Sequence, residues 1–294
     1  MDVHLIDGTY ELFRQHFGQA ARHGNAGPFD AAAGVVASTL QIVADGATHV
    51  GVASDHVIES FRNDLWPGYK TSAGMPPELL AQIPVMEEAL AAAGFTVWPM
   101  VEHEADDALG AAAAIADSDP RVGRVLIITP DKDLGQCVRG KVVQYDRRKR
   151  ELIDRDAVIA KFGVPPESIA DYLALVGDSA DGYPGLPGWG SKSAAAVLAK
   201  FGSIDAIPPS SGDWGIPGLR GVEKLAVTLR DNLALAVLFK RIATVELDVD
   251  VGDVDSWQWN GPRPELVEVA GRMGAPGLVD RAVSLAKRRA APAE

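Results

Sequence analysis

Aspartates closely follow three apolar stretches that predict β-strands. They are Asp7, Asp55 and Asp131, which come after residues 3–6, 50–54 and 125–129. A lone aspartate in such a place is more often an ordinary turn residue, because Asp is a frequent turn former. The carboxyl ends of parallel strands, however, share one edge of a sheet, and ligand crevices open at that edge. Three aspartates at equivalent strand ends therefore favour a shared function.

Further acidic groups lie at two other places along the chain. Glu104, Asp106 and Asp107 open a predicted helix, where capping and the helix dipole also favour acids. Three carboxylates within four residues nevertheless repel one another unless a cation compensates them. Asp133 lies two residues after Asp131, so their side chains point the same way if the loop is extended. The crowding of these acids favours a metal site.

Asp178 and Asp181 form a third acidic motif, in the stretch Gly-Asp-Ser-Ala-Asp-Gly at 177–182. Two residues spaced i and i+3 lie on one face of a helix, and in a tight turn they also converge. An ordinary Asp/Ser/Gly turn would explain this motif if it stood alone. It gains weight only together with the other acids.

The chemistry of these nine acids suits hard divalent cations. A site of carboxylate oxygens without His or Cys favours Mg²⁺ or Mn²⁺ over zinc, and the single cysteine, Cys137, excludes both a disulfide within the chain and a cysteine-rich zinc site. Two such ions about 4 Å apart clamp the attacking and leaving oxygens of a phosphodiester. Many carboxylates without a Walker-type glycine-rich loop favour phosphodiester hydrolysis over nucleotide-driven phosphoryl transfer.

The net charge of −12 argues at first against a nucleic-acid partner. If bound cations neutralise nine of the 40 acids, however, 31 acids remain against 28 basic residues, a balance near −3. Net charge then decides nothing, and the placement of basic residues matters more. The chain lacks the run of about 20 apolar residues that a membrane span needs, and its start does not resemble a secretory signal. We therefore expect a cytoplasmic protein, associated with the nucleoid, without a membrane partner.

The elements that must position these acids change in character near residue 155. Before it, apolar strands alternate with helical patterns, which predicts an α/β sheet. Strands are expected at 3–6, 49–54, 96–100, 125–129 and 142–145, and helices at 30–44, 77–93 and 105–117. Between 63 and 77 the pattern is broken by Pro and Gly, which predicts an exposed excursion. After residue 155, helices are expected at 156–161, 167–176, 191–201, 222–241, 264–273 and 278–289. No internal repeats are expected in the sequence.

A glycine-rich stretch at 185–194 could hold DNA. Its glycines permit a tight hairpin, and the helix that follows offers free N–H groups to an anion. Such a loop holds a DNA backbone without reading its sequence, although a plain turn between helices remains the alternative. The candidate DNA-binding residues are Gly188, Gly190, Ser191, Lys192 and Ser193.

Three basic residues are candidates for holding the scissile phosphate. Arg14, Arg62 and Lys70 lie just beyond the first two strand ends or in the irregular excursion. Each one taken singly is more often a solvated surface charge. Together they could place a phosphate beside the metals.

These motifs together resemble the 5′ nuclease family, which includes the 5′→3′ exonuclease domain of bacterial DNA polymerase I and free-standing bacterial flap endonucleases. The resemblance covers residues 5 to about 205, and its motifs appear in the family's order. The matching segments are Leu5-Ile6-Asp7-Gly8 with Arg14, Asp55, Phe61-Arg62 through Tyr69-Lys70, Pro77-Glu78-Leu79 through Pro84, Glu104-Ala105-Asp106-Asp107, Thr129-Pro130-Asp131-Lys132-Asp133-Leu134, Gly177-Asp178 with Asp181, and Pro184 through Lys192.

The resemblance implies a mostly parallel central sheet flanked by helices, with a helical arch at about 62–85 over the active site. It implies an α/β nuclease core at 1–155 and a helical DNA-binding region at 156–294, with a helix-hairpin-helix at about 170–202. It also implies two or more divalent cations, and K⁺ held by hairpin carbonyls near 188–190. Asp7, Asp55, Glu104 and Asp106 would hold one metal group, and the other would be held by Asp107, Asp131, Asp133, Asp178 and Asp181.

The implied activity is hydrolysis of DNA with 5′ flaps, overhangs or free 5′ ends, by a protein expected to be monomeric. Lys70 and Arg62 would stabilise developing charge, with Arg14 nearby, and the product would keep a 5′-phosphate. The chain ends too soon for a polymerase domain to follow. It departs from the family pattern at Ala73, where a basic residue is usual, at Gly182, where Asn is usual, and at Trp189, where an aliphatic residue is usual.

Two other functions stay open at this point. One is a DNA-binding or scaffolding protein that has lost catalysis, which retention of all nine acids disfavours. The other is an RNA-cutting relative or a metal-dependent phosphatase. The hairpin disfavours a small-molecule phosphatase, which has no need to hold a duplex.

Overall fold

The computed structural model describes residues 1–23 and 27–290. Its strands are β1 (Asp2–Asp7), β2 (His49–Asp55), β3 (Thr96–Met100), β4 (Arg124–Ile128), β5 (Val142–Asp146) and β6 (Glu151–Ile153). Its α-helices are α1 (Gly8–His23), α2 (Asp30–Ala44), α3 (Phe61–Leu65), α4 (Pro77–Leu80), α5 (Gln82–Ala92), α6 (Ala105–Ser118), α7 (Arg155–Phe162), α8 (Ile169–Val176), α9 (Ser191–Phe201), α10 (Val222–Asp231), α11 (Leu233–Ala243), α12 (Leu266–Arg272) and α13 (Gly277–Ala290).

The chain folds as two compact units. Unit 1 consists of Met1–Ile58, Ser72–Thr129 and Leu247–Glu294, and unit 2 consists of Glu59–Thr71 and Pro130–Glu246. The boundary expected at residue 155 does not coincide with these units. The division of the chain into an α/β nuclease domain and a helical DNA-binding domain stays a prediction.

Unit 1 is built on four parallel strands in the order β3-β2-β1-β4. Val3, Leu5, Val50 and Val52 are fully buried in β1 and β2, because a parallel strand covered on both faces is apolar on both. Helix α6 contacts all four strands, while α1 and α5 contact β2. This sheet with its flanking helices confirms the predicted α/β class.

The strand order of unit 1 reverses beside β1. The chain adds β2 and β3 on one side of β1 and then returns to place β4 on the other side. In open α/β sheets a ligand crevice lies outside the carboxyl ends of the strands at such a reversal. Asp7, the last residue of β1, therefore lies where the topology favours a site.

Unit 2 contains the antiparallel pair β5–β6 and the helices from α7 to α11, together with α3. Helix α8 packs on both α9 and α11. Trp214, Tyr183 and Phe239 are almost fully buried, and the ring centroids of Tyr183 and Phe239 lie 5.4 Å apart. The helical character expected after residue 155 is confirmed. Within residues 1–23 and 27–290, every helix is too short or too polar to cross a bilayer.

The observed elements differ from the predicted ones in several places. The helix expected at 77–93 is broken at Ala81, and the one expected at 222–241 is broken at Asn232, whose φ of −121° is not helical. Helix α1 and the three-residue strand β6 were not predicted. Residues 62–85 contain most of α3, an irregular stretch, α4 and the start of α5. A helical arch in this segment stays a prediction.

Two histidines, one half-buried and one buried, make unit 1 sensitive to acid. Burial, the largest effect, lowers the pKa of His4 in β1 and of His49 in β2, and Nδ1 of His4 has no hydrogen-bond partner among residues 1–23 and 27–290. Below the unfolded pKa of about 6.5 the unfolded chain binds more protons than the folded chain, so stability is present above that pH and falls as pH drops below it.

We expect His4→Gln to reduce the loss of thermal stability between pH 7.5 and pH 5.5. His16→Gln, a change of the same residue type on α1, serves as the control. Melting temperatures that depend on pH identically in the wild type and His4→Gln would contradict this account.

Candidate metal centre

Asp7 and Asp55 occupy neighbouring strand ends in unit 1. Asp7 pairs in register with Ala53, so Asp55 lies two residues further along the next strand. The Asp7 carboxylate accepts hydrogen bonds from the Tyr10 backbone N–H at 2.8 Å and from the Thr129 hydroxyl at 3.1 Å. Thr129 follows β4, so this bond joins the carboxyl ends of the two strands beside the reversal.

The first turn of α6 holds three more of the predicted acids. Oδ1 of Asp55 accepts a hydrogen bond from the Ala105 N–H at 2.8 Å, and Oδ2 of Asp107 accepts one from the Glu104 N–H at 2.9 Å. Glu104 and Asp107 are buried, while Asp106 is half-buried. The positive end of the helix dipole offsets part of the repulsion among these carboxylates. Unit 1 therefore gathers its acids at strand ends and at one helix N-terminus.

Unit 2 brings three of its predicted acids into close contact. Asp133, Asp178 and Asp181 each offer one carboxylate oxygen, and these oxygens lie within 4.8 Å of one another. We call these residues the carboxylate trio. Asp133 opens a 3-10 helix (Asp133–Cys137), whereas the other two lie in the loop after α8. That loop is closed by two backbone hydrogen bonds: the Asp178 N–H donates to the Tyr183 carbonyl at 2.8 Å, and the Tyr183 N–H donates to the Asp178 carbonyl at 3.0 Å.

Asp131 borders the trio through its own loop. Its Oδ1 accepts a hydrogen bond from the Asp133 N–H at 3.0 Å, and its backbone carbonyl accepts one from Nε2 of Gln144 at 2.6 Å. Gln144 is buried in β5, so β5 fixes the loop that carries both aspartates. Gln144 was not predicted as part of the site, since nothing in its local sequence marks it.

The trio creates a negative potential that suits a cation. Burial, followed by the charges of Asp131, Asp181 and Asp178, raises the pKa of Asp133 well above its usual value. Oδ1 of Asp133 is buried and has no hydrogen-bond partner in the part of the chain that the structure describes. Burial and the trio also raise the pKa of the Tyr183 hydroxyl. A buried, unsatisfied carboxylate oxygen among like charges costs free energy that a bound divalent cation would remove, so the donor set fits the predicted metal.

Two lysines neutralise part of this charge. Nζ of Lys132 lies 2.5 Å from Oδ2 of Asp178, and Nζ of Lys70 lies 3.2 Å from Oδ1 of Asp181. Burial lowers the pKa of Lys132, but the hydrogen bond to Asp178 and the neighbouring carboxylates raise it overall. Lys70 was predicted as a site residue and Lys132 was not, although its place between two predicted aspartates was a usable signal.

The two predicted arginines have different surroundings. Arg62 in α3 is buried, and its guanidinium donates hydrogen bonds to the carbonyls of Ile242 at 2.8 Å and Thr244 at 2.9 Å, at the end of α11. Arg14 in α1 is partly exposed and forms an ion pair with Glu11, in which Nη2 of Arg14 lies 2.5 Å from Oε2 of Glu11. Arg62 thus stabilises a helix C-terminus, where positive charge is favourable. Contact of either arginine with a phosphate stays a prediction.

The predicted hairpin lies between α8 and α9 in unit 2. Leu186 and Trp189 close a turn, with the Trp189 N–H donating to the Leu186 carbonyl at 3.1 Å. Gly188 has a φ of +80°, which favours glycine. The Ser193 hydroxyl accepts a hydrogen bond from the Gly190 N–H at 3.0 Å and so fixes the start of α9. Ser191 and Lys192 in the first turn are exposed. DNA binding by these residues stays a prediction.

The nine predicted acids therefore fall into two sets, one in each unit. Unit 1 contains Asp7, Asp55, Glu104, Asp106 and Asp107, and unit 2 contains Asp131, Asp133, Asp178 and Asp181. The trio in unit 2 has ligand geometry by itself. Convergence of all nine acids in one pocket stays a prediction.

The chain matches two family models that together span most of its length. Residues 2–163 match the 5′-3′ exonuclease N-terminal resolvase-like domain, and residues 164–265 match the 5′-3′ exonuclease C-terminal SAM fold. A 5′-3′ exonuclease of Aquifex aeolicus is 33% identical over 209 residues, which cover 70% of this chain and 71% of that protein. DNA polymerase I of Bacillus caldotenax is 33% identical over 255 residues, but the match covers 84% of this chain and only 28% of the polymerase.

Solved structures share the fold at low sequence identity. The phage T5 D15 protein, co-crystallised with metal ions, superposes with a TM-score of 0.66 at 18% identity, covering 98% of this chain and 99% of that one. Flap endonuclease-1 from Methanococcus jannaschii gives a TM-score of 0.61 at 16% identity, covering 98% of this chain and 93% of that one. The family models and the Aquifex relative settle the assignment: this chain belongs to the 5′-3′ exonuclease family.

Proposed function

We propose that this protein is a structure-specific, divalent-metal-dependent DNA 5′ nuclease. Its substrates would be DNA with 5′ flaps, overhangs or free 5′ ends, and its products would keep a 5′-phosphate. The observation that carries the proposal is the trio of Asp133, Asp178 and Asp181, whose carboxylate oxygens lie within 4.8 Å of one another and whose mutual repulsion a bound divalent cation would relieve. Membership of the 5′-3′ exonuclease family supplies the reaction class.

The carboxylates are the proposed metal ligands. Oxygen-only donor sets suit Mg²⁺ or Mn²⁺. When bound, such cations supply Lewis-acid activation of water and neutralise charge on a phosphodiester. The proposed ligands are Asp7, Asp55, Glu104, Asp106 and Asp107 in unit 1, and Asp131, Asp133, Asp178 and Asp181 in unit 2.

Basic residues beside the acids would position the phosphate. Lys70 is partly exposed and lies 3.2 Å from Asp181, so its ammonium can exchange a carboxylate for a phosphate oxygen. Lys132 holds Asp178 in place. Arg14 is a second candidate for phosphate contact. Arg62 would act mainly by positioning α3, because two of its N–H groups already bond to carbonyls.

The hairpin would hold the duplex. The first turn of α9 offers N–H groups to a phosphate, and Lys192 adds a positive charge. Gly188, Gly190, Ser191 and Ser193 would let a DNA backbone approach closely without sequence preference. We also propose that the backbone carbonyls near 188–190 bind K⁺. We further propose that the protein is a monomer that acts on nucleoid DNA in the cytoplasm.

A cleavage assay on three labelled substrates tests the proposal. We expect a DNA 5′ flap to be cut in Mg²⁺ or Mn²⁺, with a 5′-phosphate on the product, and no cutting in EDTA. The matching RNA flap and a phosphate monoester are expected to be poor substrates. Cutting that EDTA leaves unchanged, or turnover of the monoester alone, would contradict the assignment.

The same substrates distinguish the proposed nuclease from an inactive DNA-binding protein. In that case the flap would be bound but left intact at every metal concentration. Preferential cutting of the RNA flap would instead indicate an RNA-processing relative. Cleavage is read from a denaturing gel, and binding of the intact flap is read from a native gel run in parallel.

A further inference from the structure

A second hairpin in unit 2 repeats the first. Gly-Ile-Pro-Gly at 215–218 follows Gly-Leu-Pro-Gly at 185–188, thirty residues further along the chain. In the first copy the Trp189 N–H donates to the Leu186 carbonyl at 3.1 Å, and in the second the Leu219 N–H donates to the Ile216 carbonyl at 3.4 Å. The glycines at the corners have φ values of +80° and +77°. The two segments therefore form the same turn.

Each hairpin leads directly into a helix. Helix α9 has 11 residues and follows the first turn, and α10 has 10 residues and follows the second. Gly190 and Gly221 precede these helices. A Cβ at Gly188 or Gly218 would meet no atom within 4 Å, so glycine is required there by the backbone angle and not by internal packing.

The two hairpins line one cavity of about 850 Å³. Its charged lining is entirely positive: Lys192 comes from the first hairpin side, and Arg220 and Lys224 come from the second. No Asp or Glu within residues 1–23 and 27–290 lines it, although the chain as a whole carries a net charge of −12. The cavity is thus a basic site in an acidic protein.

The three basic residues of this cavity lack acidic partners in the described part of the chain. All three are exposed, and none forms an ion pair with a carboxylate of residues 1–23 or 27–290. Other basic residues of unit 2 do form such pairs, among them Lys70, Lys132, Lys149, Arg155, Arg230, Lys240 and Arg241. Three uncompensated cations around one cavity favour an anionic ligand from outside.

We propose that the second hairpin, with Arg220 and Lys224, binds backbone phosphates of duplex DNA, so that two repeated turns hold the duplex together. Two equivalent turns suit a ligand that itself repeats, and a phosphodiester backbone is such a ligand. The contact is sequence-independent, because it uses charge and backbone N–H groups only. This inference rests on the proposed DNA nuclease function and extends its binding surface beyond the predicted hairpin.

The salt dependence of duplex binding tests the inference. Each phosphate contact contributes about 0.9 to the slope of log K against log salt concentration. We therefore expect Arg220→Gln with Lys224→Gln to reduce that slope by about 1.8, and to weaken binding about tenfold or more at 0.1 M salt. Binding would be measured by fluorescence anisotropy in EDTA, so that the labelled flap stays intact.

The controls separate charge, fold and function. Lys161→Gln with Arg230→Gln removes one Lys and one Arg from unit 2 outside the cavity and is expected to keep the wild-type slope, as is Arg220→Lys. At subsaturating enzyme, single-turnover cleavage by the cavity variant should fall in step with its weaker binding of the duplex. An unchanged slope in that variant, while the wild type binds and cuts DNA, overturns the inference alone. A wild type that neither binds nor cuts DNA overturns both proposals.

Discussion

Asp133→Asn is expected to abolish flap cleavage and, in EDTA at pH 8, to make the fold more stable. Asn is nearly isosteric with Asp, so packing of the 3-10 helix at Asp133–Cys137 is retained. The change removes a buried negative charge from among Asp131, Asp178 and Asp181, which raise the pKa of the native carboxyl. Like charges about 4 Å apart near a protein surface repel by up to about 4 kcal/mol, part of which Lys132 already offsets. We expect a gain of about 1–3 kcal/mol in the free energy of unfolding.

The effect on cleavage has the opposite sign. The lost oxygen is the one that a cation would bind, and removing one group that stabilises charge in a transition state lowers kcat by about 10²–10³-fold. Stabilisation of the fold by added Mg²⁺ or Mn²⁺ should shrink as well, since binding to the folded state is what stabilises it. Thermal melts with and without metal, together with single-turnover cleavage, measure both effects.

Two further variants show whether the site itself is responsible. Asp178→Asn keeps an oxygen that can accept the hydrogen bond from the Ala180 N–H, and it is also expected to abolish cleavage with little loss of fold. Asp213→Asn changes an exposed aspartate of the same unit, and it should alter neither stability nor cleavage. Near-normal turnover in both site variants would count heavily against the proposed metal centre.

Most of unit 1 could be predicted from the sequence because its signals are local. Parallel strands covered on both faces are apolar runs, so β1, β2 and β4 were visible together with the acids that follow them. Helix α1 was missed because it begins at Gly8, directly after a strand, and Asp7-Gly8 looks like the start of a loop. The break at Asn232 was missed because both flanking segments continue the same apolar periodicity.

The environment of the site could not be predicted, because it depends on contacts between distant residues. The Arg62 guanidinium donates hydrogen bonds to carbonyls about 180 positions away in the chain. The sequence around Arg62 therefore gives no sign that this residue is buried. The buried state of Asp133 likewise depends on the loop that carries Asp178 and Asp181. The second hairpin is different, because Gly-Ile-Pro-Gly at 215–218 visibly repeats Gly-Leu-Pro-Gly at 185–188. A motif of only four residues is nevertheless easily missed, since it does not belong to a long repeated unit.

Gly185→Ala is expected to have the largest effect on stability of any glycine change in the first hairpin. Gly185 has a φ of +68°, and a Cβ there would lie 2.4 Å from the Gly177 nitrogen and 2.6 Å from the Leu175 carbonyl oxygen. Both neighbours are backbone atoms and cannot rotate away. Backbone strain of about 1–3 kcal/mol adds to a similar cost for overpacking. We expect the free energy of unfolding to fall by about 3–5 kcal/mol.

The damage should reach the metal centre, because this contact closes the base of the loop that carries Asp178 and Asp181. The Leu186 N–H donates to the Leu175 carbonyl at 2.9 Å, and pushing the two segments apart would displace Asp178 and Asp181. Cleavage should therefore fall even at temperatures where the variant is folded, which single-turnover rates and urea unfolding would measure side by side.

Gly188→Ala is the matched control for this prediction. Gly188 lies three residues further on with a similar φ of +80°, but a Cβ there would meet no atom within 4 Å. Only the backbone strain remains, so the free energy of unfolding should fall by only about 1–2 kcal/mol. If both variants lost the same stability, the close approach of Gly177 and Gly185 would not be what holds the loop of Asp178 and Asp181 in place.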